Sequence, residues 1–158
     1  MNDPEDHRTF AAAANNRAWE LLADASRDDA AKREMVDAAH ASLWHWRYAG
    51  TVVHEQRGEW LVSHVYAVLG HGDAALAHAQ WCWALTEEGA LTGFDHAYAC
   101  EAMARALAAR GDADDAASWR DRATTSASNV TDEEDRAILE ADLAAGPWFD
   151  VPLPPEPA

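Results

Sequence analysis

Cysteine is scarce in this chain of 158 residues, which holds only Cys82 and Cys100. Two thiols cannot build a disulfide framework. The expectation is a pair of buried, reduced cysteines and a cytoplasmic location. No apolar run approaches the length of a membrane span. The opening Met1-Asn2-Asp3-Pro4-Glu5-Asp6 lacks the basic and apolar regions of a signal peptide. Basic residues are few, 12 against 28 acids, for a formal net charge of −16 at pH 7. Nucleic-acid affinity rests on Lys and Arg neutralising phosphates, so a nucleic-acid partner is excluded, and an anionic membrane surface with it. Basic segments and cationic ligands remain compatible. Glycine-rich phosphate loops, a Gly-x-Ser-x-Gly elbow and a His-Glu-x-x-His helix are all missing. Valine, isoleucine and threonine, which strands favour, are sparse.

Alanine is abundant instead, and it has the highest helix propensity. The chain therefore reads as all-α, and its length suits one domain with a core of its own. Glycine, proline and capping residues punctuate about seven helices. The first runs from Pro4 to Ala23. The second is capped by Ser26 and stops at Gly50. Thr51 opens the third, which runs to Leu69, and Asp73 opens the fourth, which ends near Gly89. The fifth spans Phe94 to Arg110. Asp112 starts the sixth, which fades between Thr124 and Asn129. Thr131-Asp132-Glu133-Glu134 starts the seventh as a capping box, and Gly146-Pro147 ends it. Short loops make neighbouring helices antiparallel. Residues 147–158 form a proline-rich tail, extended or disordered from Val151 on.

Two segments look alike. Val65 to Leu76 and Met103 to Ala117 each join an apolar helix end, a Gly-Asp pair and an alanine-rich helix start. The pairs Gly72-Asp73 and Gly111-Asp112 stand 39 residues apart, inside the range of helical repeats. Glycine suits the left-handed turn, aspartate caps the next helix, and alanines let the two helices touch. Tyr98, Glu101-Ala102, Ala104, Ala106, Gly111-Asp112 and Ala116-Ala117 resemble the tetratricopeptide (TPR) repeat pattern, and Trp60-Leu61 through Gly72 match it next. A degenerate first repeat would lie in Trp19–Ala23 and Ala30–Leu43. The resemblance implies a TPR-like domain over residues 1–146, with repeats at roughly 8–48, 51–89 and 93–128 and a capping helix at 131–145. It implies a right-handed array of helix hairpins or a compact bundle. Residues 40–107 also resemble a group of bacterial TPR-like proteins, through Glu59–Gly70, His78-Ala79, Phe94-Asp95, Ala97-Tyr98 and Glu101-Ala102. That second resemblance implies a fold and no activity.

Eight tryptophans and eight histidines gather mainly in the middle of the chain. In an alanine-rich fold, large rings fill the volume that small residues leave, so most tryptophans are expected in the core. His40, Trp44 and Tyr48 share one face of the second helix. Trp60 and His64 share one of the third, and His78 and Cys82 one of the fourth. Phe94, Tyr98 and Ala102 form a stripe on the fifth, flanked by Asp95 and Glu101. Each of these has a purely structural reading, and Glu101 with Arg105 has the i, i+4 spacing of a surface ion pair. Taken together, His40, Trp44, Trp60, His64, His78, Asp95, Tyr98 and Glu101 are the candidate ligand-binding residues, converging on one groove or cavity. Aromatic walls with a few polar groups suit a small molecule or a cation. Asp37-x-x-His40 is a single pair at helical spacing, so no metal site is assigned, and no motif specifies a cofactor.

The TPR resemblance implies a binding or scaffold protein that recognises a peptide or protein segment, with basic partners favoured by charge. The alternative is a small enzyme or ligand sensor with a histidine-, tryptophan- and acid-lined pocket, with or without a metal. Tryptophans exposed at the surface would also allow a homodimer.

Overall fold

The computed structural model describes residues 3–152. It contains seven helices and no strand among the described residues: α1 (Pro4–Ala23), α2 (Asp29–Ala49), α3 (Val52–Val68), α4 (Gly72–Glu88), α5 (Phe94–Arg110), α6 (Ala113–Ser128) and α7 (Glu133–Ala144). Consecutive helices pack as hairpins, α1 on α2, α3 on α4 and α5 on α6. The hairpins stack through α2 on α3 and α4 on α5. Direct packing of α3 on α5 and of α5 on α7 brings odd-numbered helices together on one side. This arrangement is compatible with a helical repeat.

The caps differ from the sequence reading in instructive ways. Asp28, not Ser26, caps α2, its carboxylate accepting from Ala31 N at 2.8 Å. Ser26 is held one turn earlier, where its backbone and hydroxyl both donate to Asp24 Oδ1. Asp132 likewise takes the cap of α7 in place of Thr131, accepting from Asp135 N at 3.0 Å. A carboxylate outcompetes a neighbouring hydroxyl for amide donors at the positive end of a helix.

The repeat register shifts too. The left-handed glycines that end α3 and α5 are Gly70 (φ +78°) and Gly111 (φ +89°). In both turns the next residue's N–H returns to a carbonyl five positions back, His71 to Tyr66 and Asp112 to Leu107. Structurally equivalent positions are thus Gly70 and Gly111 rather than Gly72 and Gly111. Gly72 begins α4 itself, pressed against the end of α5. A Cβ there would lie 2.5 Å from Arg110 N and 2.7 Å from the Ala109 carbonyl carbon. Neither Asp73 nor Asp112 makes a side-chain cap bond.

Alanine is the commonest residue of the core. Ala67, Ala75, Ala79, Ala97, Ala99, Ala104 and Ala106 are fully enclosed, with Leu61, Val65 and both cysteines among them. Helices that meet through alanine come too close to seat an indole between them. The expectation of a tryptophan-filled core is overturned accordingly. Only Trp60 and Trp148 are buried, while Trp19, Trp44 and Trp81 are exposed at 43, 48 and 63%. Phe10, Trp44 and Tyr48 leave an aromatic group at the surface of the first hairpin, around the buried His7.

Cys82 and Cys100 are free and buried, and burial raises both thiol pKa values, that of Cys100 to about 11.

The chain after α7 is packed through its described part. Trp148 donates to Leu143 O at 3.1 Å, and its ring lies 4.1 Å from the Arg105 guanidinium and 4.3 Å from that of Arg120. Val151 is buried beside it. The tail expected to be extended or disordered starts at Val151; that residue is buried, and residues 153–158 lie outside the described residues. No described helix is long and apolar enough to cross a membrane.

Candidate functional site

A cavity of about 490 Å³ opens where the four odd helices meet. Each contributes a pair at i, i+4: Asn15 and Trp19 from α1, Gln56 and Trp60 from α3, Phe94 and Tyr98 from α5, Ile138 and Asp142 from α7. That spacing places two side chains one above the other on a single helix face. Four such faces make a lining of three aromatic types with few polar groups. Arg57 and Asp95 complete the rim, paired at 2.8 Å.

The aromatic rings brace one another. Trp19 stacks on Trp60 with centroids 5.7 Å apart, Trp60 meets the edge of Tyr98 at 5.2 Å, and Tyr98 meets Phe94 at 4.8 Å. Beneath them Trp60 Nε1 donates to Glu101 Oε2 at 2.7 Å. Glu101 pairs with Arg105, and both are buried to within 2% of complete enclosure. The expected surface ion pair is therefore a core one. Burial pushes the Glu101 carboxyl up, but Arg105 and the Trp60 donor hold it below the usual carboxylate range. Arg105 uses its remaining donors on the carbonyls of Asp142, Ala145 and Pro147. One buried pair thus fixes the groove floor and anchors the end of α7, the helix that presents Asp142.

Asp142 Oδ2 accepts from Tyr98 OH at 2.5 Å, and burial together with this carboxylate raises the phenol pKa. Gln56 is fixed by donating to Thr86 Oγ1 and Asp95 O. His64 stacks on Trp60 at 4.8 Å behind the floor. The residue is partly buried, and its Nδ1 is enclosed with no hydrogen-bond partner among the described residues. Burial lowers its pKa to about 4, so it is neutral at pH 7.

The eight residues singled out from sequence separate into three groups. Trp60, Asp95 and Tyr98 line the cavity, with Glu101 and His64 supporting it from behind. His40 and His78 do not join them. His78 Nδ1 bonds Glu59 Oε2 at 2.6 Å, Glu59 accepts from Arg47 at 2.8 Å, and His40 bonds Tyr66 OH at 2.9 Å. Glu59 and Trp60 are consecutive on α3, so they leave the helix in different directions and serve different clusters. Trp44 packs with His7, His45 and Tyr48 on the first hairpin. Cys82, expected to share a face with His78, has a raised thiol pKa rather than an activated one.

Sequence reasoning left Gln56, Arg57, Leu61 and Phe94 out of the site although their neighbours were in it, and it missed Asn15, Trp19, Ile138 and Asp142 on α1 and α7 altogether. Their signal was the i, i+4 pairing itself, repeated on the first and last odd helices. Glu101 is sealed by its partners, and the groups that do reach the cavity are hydrogen-bonding and charge-pairing side chains around apolar rings. Among the described residues no cluster of three or more His, Cys, Asp or Glu is arranged to hold a metal ion. Comparison with family models, with curated proteins and with solved structures found no match.

Proposed function

We propose that this chain is a TPR-like binding protein whose odd-helix groove takes an extended segment of another polypeptide. The observation that carries the reading is the set of four i, i+4 pairs facing one cavity, its aromatic floor fixed from below by Glu101 and Arg105. Such a surface offers apolar area for an anchor side chain and ordered polar groups at its edge, as peptide grooves do. The overall charge of −16 favours a segment carrying basic residues and disfavours nucleic acid. The free, buried thiols suit a reducing, cytoplasmic setting. Selection from a random peptide display library, followed by fluorescence anisotropy, tests the proposal. Selected peptides are expected to lose at least tenfold in affinity for Trp19→Ala. Equal affinity for Trp19→Ala and the parent protein would place binding elsewhere.

A second reading is favoured by the cavity's size, which is that of a small-molecule site. In that reading the same lining takes an aromatic or cationic small molecule, as a ligand sensor would. A thermal-shift screen with such compounds separates the two. The exposed Phe10, Trp44 and Tyr48 supply a face for a homodimer, which sedimentation velocity reads directly.

A further inference from the structure

The groove does not end at Trp19. A second cleft of about 570 Å³ has Trp19 as a shared wall and continues past His64 and Arg27 to Gly146 and Pro147. A third recess of about 740 Å³ shares Arg27 and Val68 with the second, and is bordered by Lys32, Arg33, Tyr66 and His71. The three cavities therefore follow one another along the C-terminal half of α1 and over the turn into α2.

Their charges differ. The first cavity holds two carboxylates and one guanidinium, and that guanidinium, Arg57, is already paired with Asp95. Among the described residues, Asp142 has a phenol as its only hydrogen-bonding side-chain partner. The third recess gathers Arg27, Lys32 and Arg33 against Asp29 and Asp37, in a chain where acids outnumber bases 28 to 12. Only Lys32 is paired there, at 3.6 Å from Asp29; Arg33 makes no ion pair among the described residues. Arg27 spends one guanidinium nitrogen on the carbonyls that end α1, Leu21, Leu22 and Asp24. A second observation falls in the same place. The two buried side-chain nitrogens without a partner among the described residues are Arg27 Nε and His64 Nδ1, and both residues line the middle cleft.

Resting on the peptide-binding reading above, we infer that the trough is polarised and takes an extended segment whose two ends carry opposite charge. Its basic residues lie near Asp142, an apolar side chain rests on Trp19 and Trp60, and its acidic side chains lie against Arg27, Lys32 and Arg33. From Asn15 to the end of α1 is about 12 Å at the helical rise. That is about four residues of extended chain, and the two ends add several more, so a 12-residue peptide spans the trough. Opposite fields at the ends fix the orientation of the segment and reject uniformly charged ones.

The test uses three fluorescent 12-residue peptides, acetylated and amidated so that only side-chain charges differ. One has a tryptophan-leucine centre with lysines on one side and glutamates on the other. The second has the same composition with the charges interleaved. The third is basic on both sides. Affinities are measured for the parent protein and for Lys32→Glu/Arg33→Glu, two exposed positions, with circular dichroism as the check that the variant keeps its helix content. The segregated peptide is expected to bind at least tenfold tighter than the interleaved one, and the double variant to abolish that advantage. Binding of the all-basic peptide by the double variant is expected to hold or improve. Equal affinity for the segregated and interleaved peptides would overturn the polarised trough while leaving the peptide groove standing. Failure of all three to bind would overturn both.

Discussion

The indole N–H of Trp60 donates to the carboxylate of Glu101 across 2.7 Å of protein interior, joining α3 to α5 directly below the groove. Glu101 has no solvent to fall back on, and its ion pair with Arg105 is what keeps it charged there. Removing one partner of a buried pair leaves the other uncompensated. Glu101→Gln is expected to cost about 3–5 kcal/mol of unfolding free energy by urea titration. Trp60→Phe keeps a ring but deletes the donor, at a cost of about 1–3 kcal/mol. The two together should cost less than their sum, because they damage one network. Strict additivity would mean that the indole and the carboxylate are energetically independent.

Two backbone sites give stability predictions of opposite sign. Ala90 follows Gly89 at the end of α4 with φ +48°, a left-handed conformation that L-residues with a Cβ resist. Ala90→Gly is expected to stabilise the protein by about 1 kcal/mol. Gly72→Ala should destabilise by about 1–3 kcal/mol, since the new methyl meets the backbone of Ala109 and Arg110 rather than a flexible side chain. Thermal or chemical denaturation reads both. An unchanged midpoint for Gly72→Ala would mean that α4 and α5 do not approach as closely as described.

His64 makes the fold acid-sensitive. Its imidazole is free to protonate in the unfolded chain near pH 6.5, but in the folded protein only near pH 4. The unfolded state therefore binds the extra proton first as pH falls. The stability contributed by the neutral ring is fully present above about pH 6.5 and is lost progressively toward pH 4. His40, His45 and His54 shift in the same direction, so the parent protein should weaken over this window by more than His64 alone supplies. His64→Phe is expected to remove about 3 kcal/mol of that pH dependence. Parallel stability–pH curves for the two proteins would show that His64 titrates normally.

How much of this was legible in the sequence depended on what each residue had to compete with. Gly70 and Gly111 stop helices by a left-handed backbone conformation, which is local, and the all-α reading with seven helices followed. Caps were less secure, because Ser26 and Asp28, or Thr131 and Asp132, stand within two residues of each other and only the completed turn decides between them. Helix spacing set Trp60 and His64 on one face of α3, and packing of α3 on α5 brings Tyr98 and Glu101 against them. His40 and His78 were drawn into the same site by type alone, whereas Glu59 bonds His78 and Tyr66 bonds His40 on a different face of α3. Asp142 stayed hidden because α7 reads as a polar cap until Arg105 is seen fastening its end to the groove floor.

Trp19 separates ligand binding from stability. It is 43% exposed and stacks on Trp60, so truncation costs the fold little. Trp19→Ala is expected to change unfolding free energy by about 1 kcal/mol or less while weakening a selected peptide by at least tenfold. A loss of stability well beyond that value, measured by urea titration, would make Trp19 a core residue and not a groove wall.

The most direct test of the groove is a ¹H–¹⁵N spectrum of the eight tryptophan indoles, recorded while a display-selected peptide is titrated in. Saturable shifts are expected in the Trp19 and Trp60 indole signals, with those of Trp81 and Trp148 unmoved. Shifts confined to Trp44 or Trp81, with Trp19 and Trp60 unchanged, would contradict binding in the groove.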